Sequence, residues 1–135
     1  MKKIVVIDGQ GGKLGAELIK RLTESFVAAE ITAIGTNSIA TSAMLKAGAK
    51  MAATGENPVI IASKRADIII GPIGIVLADS LLGEITSAMA NAVASSSAQK
   101  ILIPMNKCST SVAGVTIKNT QELIEDAILK IKELI

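Results

Sequence analysis

Apolar positions follow two rhythms along this chain. Short unbroken runs such as Ile4-Val5-Val6-Ile7, Ile31-Thr32-Ala33-Ile34 and Asp67-Ile68-Ile69-Ile70 predict buried strands. Lys100 to Met105 adds another, Met51 to Thr54 a short weak one, and Val112 to Ile117 a candidate sixth. Between them apolar residues recur every three or four positions. Leu14, Leu18, Ile19, Leu22 and Phe26 mark one helix, with Lys13, Glu17, Lys20, Arg21 and Glu24 on its other side. Asn37 or Ser38 caps a second helix through Ala47, which Gly48 ends. Asn57 before Pro58 predicts the N-cap of a third, closed by Lys64-Arg65. Ile75 to Leu82 reads as helical up to Gly83, and a further helix runs from about Thr86 to Ala94. Asn119 with Glu122 forms a capping box that opens a last helix burying Ile124, Ala127, Ile128 and Ile131.

Strand and helix alternate from end to end. That order predicts a three-layer α/β fold: a mainly parallel sheet of five or six strands with helices on both faces. The chain has 135 residues, which suits one domain, and neither a repeat nor a low-complexity linker divides it. With a single Phe and no Trp or Tyr, the core must come from Ile, Val, Leu, Ala and Met.

The most informative stretch is Ile4 to Gly15, a strand that runs into Gly9-Gln10-Gly11-Gly12-Lys13-Leu14-Gly15 and on into a helix. Unpaired N–H groups and the helix dipole make such a helix start an anion site, and glycines let backbone approach a phosphate. Gly71-Pro72-Ile73-Gly74 ends a later strand in the same manner. In a doubly wound sheet, both loops border the crevice between the C-terminal ends of the first and fourth strands. These stretches predict a Rossmann-like domain binding a small-molecule nucleotide or another phosphorylated ligand, with NAD(P) among the candidate cofactors; the alternatives are a regulatory or interaction protein whose glycine loop is only structural, and a small enzyme acting on a phosphorylated metabolite.

Gly9, Gly12 and Gly15 fit G-x-x-G-x-x-G, which resembles the extended and atypical short-chain dehydrogenases over about the first twenty-five residues. The resemblance implies a tight turn at Gly9, pyrophosphate access at Gly12 and close helix packing at Gly15. Two departures limit it. The second strand ends in Gly35-Thr36-Asn37-Ser38, with no carboxylate for a ribose, so Thr36 and Asn37 are the neutral candidates there. The catalytic Tyr of those dehydrogenases has no counterpart, because the chain contains no Tyr. Over its whole length the chain also resembles a family of short bacterial proteins of unknown function. The matching stretches are Ile7-Asp8-Gly9-Gln10-Gly11-Gly12, Gly35-Thr36-Asn37, Ala53-Thr54-Gly55-Glu56-Asn57 and Gly71-Pro72-Ile73-Gly74. That resemblance implies a Rossmann-like fold and supplies no catalytic residue.

Asp8 ends the first strand beside the expected phosphate. Either it accepts bonds from loop N–H groups, the preferred reading, or it holds a bridging Mg²⁺ or acts as a general base. Lys13 meets a phosphate or stays solvated. Lys107 and Cys108 are the nucleophile candidates in a chain without His, against the default of a small buried thiol. Glu56, Asn57 and Glu84 are adequately explained by helix starts.

A net charge of +2 without a basic stripe or aromatic platform argues against nucleic-acid binding. One cysteine fits a reducing cytoplasm. The run after Met1-Lys2-Lys3 is too short for a secretion signal, and Ile68 to Ala78 too short for a membrane span. A domain this small has a shallow crevice, so a homodimer that completes it is expected; the Ala- and Met-rich stretch Thr86 to Ala94 is either a self-association face or a helix packed on the sheet, the latter at least as well supported.

Overall fold

A computed structural model describes residues 1–105, 109–115 and 119–135. Its five strands are β1 (Lys3–Asp8), β2 (Glu30–Gly35), β3 (Met51–Thr54), β4 (Ile68–Pro72) and β5 (Gln99–Ile103). They form one sheet in the order β3-β2-β1-β4-β5, with every neighbouring pair parallel. The helices are α1 (Lys13–Ser25), α2 (Ser38–Lys46), α3 (Glu56–Arg65), α4 (Ser87–Ser95) and α5 (Thr120–Leu134). This is the three-layer, Rossmann-like α/β architecture.

Alternation along the strands divides the core in two. Ile4, Val6, Ile68 and Ile70 face α1 and α5, where Leu18, Leu22, Ile124 and Ile128 are buried, and Met44 of α2 joins them. Val5, Ile7 and Ile69 face the other layer, with Val59 of α3 and Met89 and Val93 of α4. The unbroken apolar runs are thus central strands covered on both sides. β1 lies in the middle, and the strand order reverses between it and β4.

Several boundaries differ from those read in the sequence. α3 starts at Glu56 with Gly55, at φ 104°, as its cap, so Asn57 and Pro58 lie inside the first turn. Proline is tolerated there because first-turn N–H groups have no partner within the helix. β4 continues through Gly71 and Pro72, which pair in register with Leu102 and Ile103. A Cβ on Gly71 would lie 2.3 Å from the carbonyl oxygen of Ile7, so this glycine lets β4 lie close against β1. Ile75 to Leu82 is not a helix. A single 3₁₀ turn, Ile73–Val76, gives way to turns in which Asp79, Leu81, Leu82 and Gly83 take φ of 66°, 55°, 55° and 86°. Four left-handed residues cannot continue a right-handed helix. Val112 to Val115 is not a strand, and the rest of the candidate sixth strand lies outside the described residues.

Candidate functional site

The C-terminal ends of β1 and β4 open into a cavity of about 380 Å³. The loop from Gly9 to Leu14 forms one wall, with Asp8 beneath it and Pro72, Leu81 and Met105 opposite. The four sequence stretches that suggested a family lie at the C-terminal ends of β1, β2, β3 and β4, on the edge where open parallel sheets bind ligands.

Asp8 organises the loop. Its Oδ1 accepts the N–H of Gly9 at 2.8 Å and its Oδ2 the N–H of Gly15 at 2.6 Å. Burial pushes its carboxyl above the usual range; the two backbone hydrogen bonds pull it down without offsetting that, and the Glu84 charge raises it further. Both oxygens being engaged, the geometry shows the carboxylate accepting loop N–H groups. A Cβ on Gly15 would lie 2.8 Å from the Cβ of Asp8 and 2.7 Å from the Sδ of Met44, which is why α1 can start so near the strand.

The glycines divide by role. Gly12 caps α1 at φ 76°, and a Cβ there would meet the Cα of Ala40 at 2.7 Å. Its bare Cα therefore serves contact with α2, whereas the dehydrogenase likeness assigned it to a pyrophosphate. The turn is closed by the Gly12 N–H on the Gly9 carbonyl, and its left-handed residues are Gln10 and Gly12, not Gly9. Gly11 is exposed, with no atom within 4 Å of where a Cβ would stand. The N–H groups of Gly11, Lys13 and Leu14 have no acceptor among the described residues. They are the donors left for an anion, beside the cavity.

A second feature was not visible in the sequence. The segment between β4 and α4 crosses above the end of β1 and brings Glu84 to the end of β2. Its Oε1 accepts from the N–H of Gln10 (2.9 Å), Oγ1 of Thr36 (2.6 Å) and Nδ2 of Asn37 (2.8 Å). Burial opposes ionisation of Glu84, but those three bonds outweigh it and hold its pKa below the ordinary value. Asn37 also caps α2, accepting the Ala40 N–H, and donates to the Gln10 carbonyl at 3.0 Å. Thr36 therefore reaches the glycine loop by way of Glu84, and Asn37 reaches it both through Glu84 and directly. The segment is closed at its base by Asp79 N–H on the Ile85 carbonyl and Ile85 N–H on the Ser80 carbonyl.

The structure brings Asp8, Gly9 to Gly15, Thr36, Asn37 and Pro72 to this edge. Ile73 and Gly74 sit in the 3₁₀ turn behind it, where the Gly74 carbonyl accepts the Ser80 hydroxyl. Lys107 and Cys108 lie outside the described residues. Among the described residues, no group of three or more Cys, Asp or Glu is placed to hold a metal ion, and no helix is long and apolar enough to cross a membrane.

Residues 3–135 match the family described as "Domain of unknown function (DUF3842)". The chain belongs to that family. No curated protein matches it. A similar solved structure is a dodecameric FMN-dependent UbiX-like decarboxylase from Escherichia coli O157:H7. It is 19% identical, with 98% of this chain and 75% of that one covered, at a TM-score of 0.46. A likeness so distant transfers no chemistry to DUF3842, and neither match names a short-chain dehydrogenase.

Proposed function

We propose that this DUF3842 chain is a single nucleotide-binding domain whose ligand lies across the ends of β1 and β4. The observation that carries the reading is the set of three N–H groups, of Gly11, Lys13 and Leu14, that have no acceptor among the described residues and belong to residues lining the cavity. A phosphate sits on those donors, with the Lys13 side chain as a further cation, and Pro72 walls the opposite side. Gly71, Ile73 and Gly74 shape that wall from behind. The ligand class is a nucleotide or dinucleotide, NAD(P) included. The protein acts in the cytoplasm, as a homodimer that deepens the crevice.

Thermal denaturation with NAD, NADP, ATP, GTP, flavins and simple phosphates, each with and without Mg²⁺, tests this. A ligand at a hundred times its Kd should stabilise the native protein by about 2.7 kcal/mol. Gly11→Asp should abolish that shift while the circular dichroism spectrum stays native, since the position has open space for a side chain. A second reading, a purely structural glycine loop, draws on the packing at Gly12, Gly15 and Gly71. Silence across the whole screen would favour it.

A further inference from the structure

We infer that the strap from Leu77 to Ile85 closes the β2 side of this crevice, so that the site holds one nucleotide half and leaves any second half in solvent. The inference rests on the nucleotide-binding reading above and narrows it. In folds built for dinucleotides the ligand lies across the crevice, one half on each side of the switch point. Here the cavity opens only between β1 and β4. Its walls are the loop from Gly9 to Leu14, Pro72, Leu81 and Met105, and Thr36, Asn37 and Glu84 do not line it. At about 380 Å³ it stands at the small end of ligand pockets.

Leu81 is the partition. It is buried and lines the cavity on one side. A Cβ on Gly9 would lie 2.8 Å from its Cδ1, 2.6 Å from Oγ1 of Thr36 and 2.9 Å from Oε1 of Glu84. The bare Cα of Gly9 is therefore covered by the strap and by the end of β2, and gives a phosphate no approach. Glu84 is the latch. Its Oε1 takes the Gln10 N–H, the Thr36 hydroxyl and the Asn37 amide, which ties the strap to the glycine loop and to β2 at once. The strap keeps its shape through the Asp79 N–H on the Ile85 carbonyl at 2.7 Å and the Ser80 hydroxyl on the Gly74 carbonyl. Within it Asp79, Leu81 and Leu82 are all left-handed, a conformation that side chains adopt only where the surroundings enforce it. Thr36 and Asn37, the neutral candidates for a ribose, thus spend their donors on the latch. A ligand is left with the N–H groups of Gly11, Lys13 and Leu14 and the Pro72 wall.

Calorimetric titration compares adenosine 5′-monophosphate, nicotinamide mononucleotide and FMN with NAD and FAD, the dinucleotides that join them. In wild type each dinucleotide should bind less than about tenfold more tightly than its tighter half, because linkage strengthens binding only when both halves engage. The double variant Leu81→Gly/Glu84→Ala removes partition and latch, and glycine accepts the left-handed backbone at position 81. With a native circular dichroism spectrum, it should bind a dinucleotide at least about tenfold more tightly than either half. A wild type that already shows such a gain would overturn the closed β2 side and leave nucleotide binding standing. A folded variant that shows no gain over wild type would do the same. Should the variant lose its native spectrum, the wild-type comparison decides alone. Binding of none of the five would remove the nucleotide reading and this inference with it.

Discussion

Asp8 and Gly15 are joined across the glycine loop by a 2.6 Å hydrogen bond from the Gly15 N–H to the Asp8 carboxylate. The strand end thereby ties down the first turn of α1, and a buried acid is the fastener. Burial raises its folded pKa above the 3.8 of the free group, so the folded state holds this proton more firmly than the unfolded one. Stability from this group is then greatest below pH 3.8 and declines as pH rises through the folded value. Unfolding free energies of wild type and Asp8→Asn, measured from pH 3 to 7, should show the wild-type advantage shrinking as pH rises. An advantage that grows with pH would contradict burial as the dominant effect.

Glu84 has the opposite sign. Its folded pKa lies below 4.5, so its contribution is present above pH 4.5 and is lost as pH falls through the lowered value. Comparison with Glu84→Gln over the same range should show the wild-type advantage fading on acidification. Because the Glu84 charge helps raise Asp8, carboxyl NMR titration of Asp8 should move to lower pH in that variant. An unmoved Asp8 titration would mean that the two groups do not interact.

An alanine scan of the loop should separate packing from binding. Gly12→Ala meets the Ala40 backbone at 2.7 Å from a left-handed position, and Gly71→Ala meets the Ile7 carbonyl at 2.3 Å. Each should cost about 1–3 kcal/mol or more. Gly11→Ala has open space and should change stability by less than about 0.5 kcal/mol. Denaturant midpoints decide it, and equal losses at Gly11 and Gly12 would refute this division of roles.

The same contrast marks how far the sequence could be read. β1, its glycine loop and α5 were legible because the signals are local: an apolar run broken by glycines, and Asn119 whose side chain accepts the Glu122 N–H. The spacing of apolar residues also placed the core on the right helix faces, from Leu18 to Ile131. The segment after β4 was not legible. Its apolar residues mimic a helix, yet Leu81 and Leu82 are left-handed within a turn closed by backbone bonds among residues 77–85. Glu84 looked like a capping residue because its partner Gln10 is 74 positions away. No local pattern encodes that meeting.

Asn37 should tolerate Asp less well than its helix-cap role suggests. Asp is as good an N-cap as Asn and would keep the bond to the Ala40 N–H. It would also replace the amide that donates to the Gln10 carbonyl and to Glu84 with an oxygen facing two acceptors. Asn37→Asp should therefore destabilise by about 1–3 kcal/mol near pH 7. Adding Glu84→Gln should restore part of the loss, since the charge repulsion goes with it. A double-mutant cycle with no coupling would show that Asn37 acts only as a cap.

Ser63 offers a test in which removing a polar atom helps. Its residue is 1% exposed, and its hydroxyl has no hydrogen-bond partner among the described residues. The Ser63 carbonyl accepts the Ser96 hydroxyl at 2.6 Å, an interaction that a side-chain change leaves intact. A buried hydroxyl without a partner loses its hydration and gains nothing in return, at a cost of about 1–3 kcal/mol. Deleting one oxygen opens a void too small to cancel that gain. Ser63→Ala lies within α3, where alanine is also the better helix former. The variant should be more stable than wild type by about 1 kcal/mol, read as a higher denaturant midpoint with an unchanged slope. A loss of stability would mean that the hydroxyl has a partner in solution, with a buried water as the first candidate.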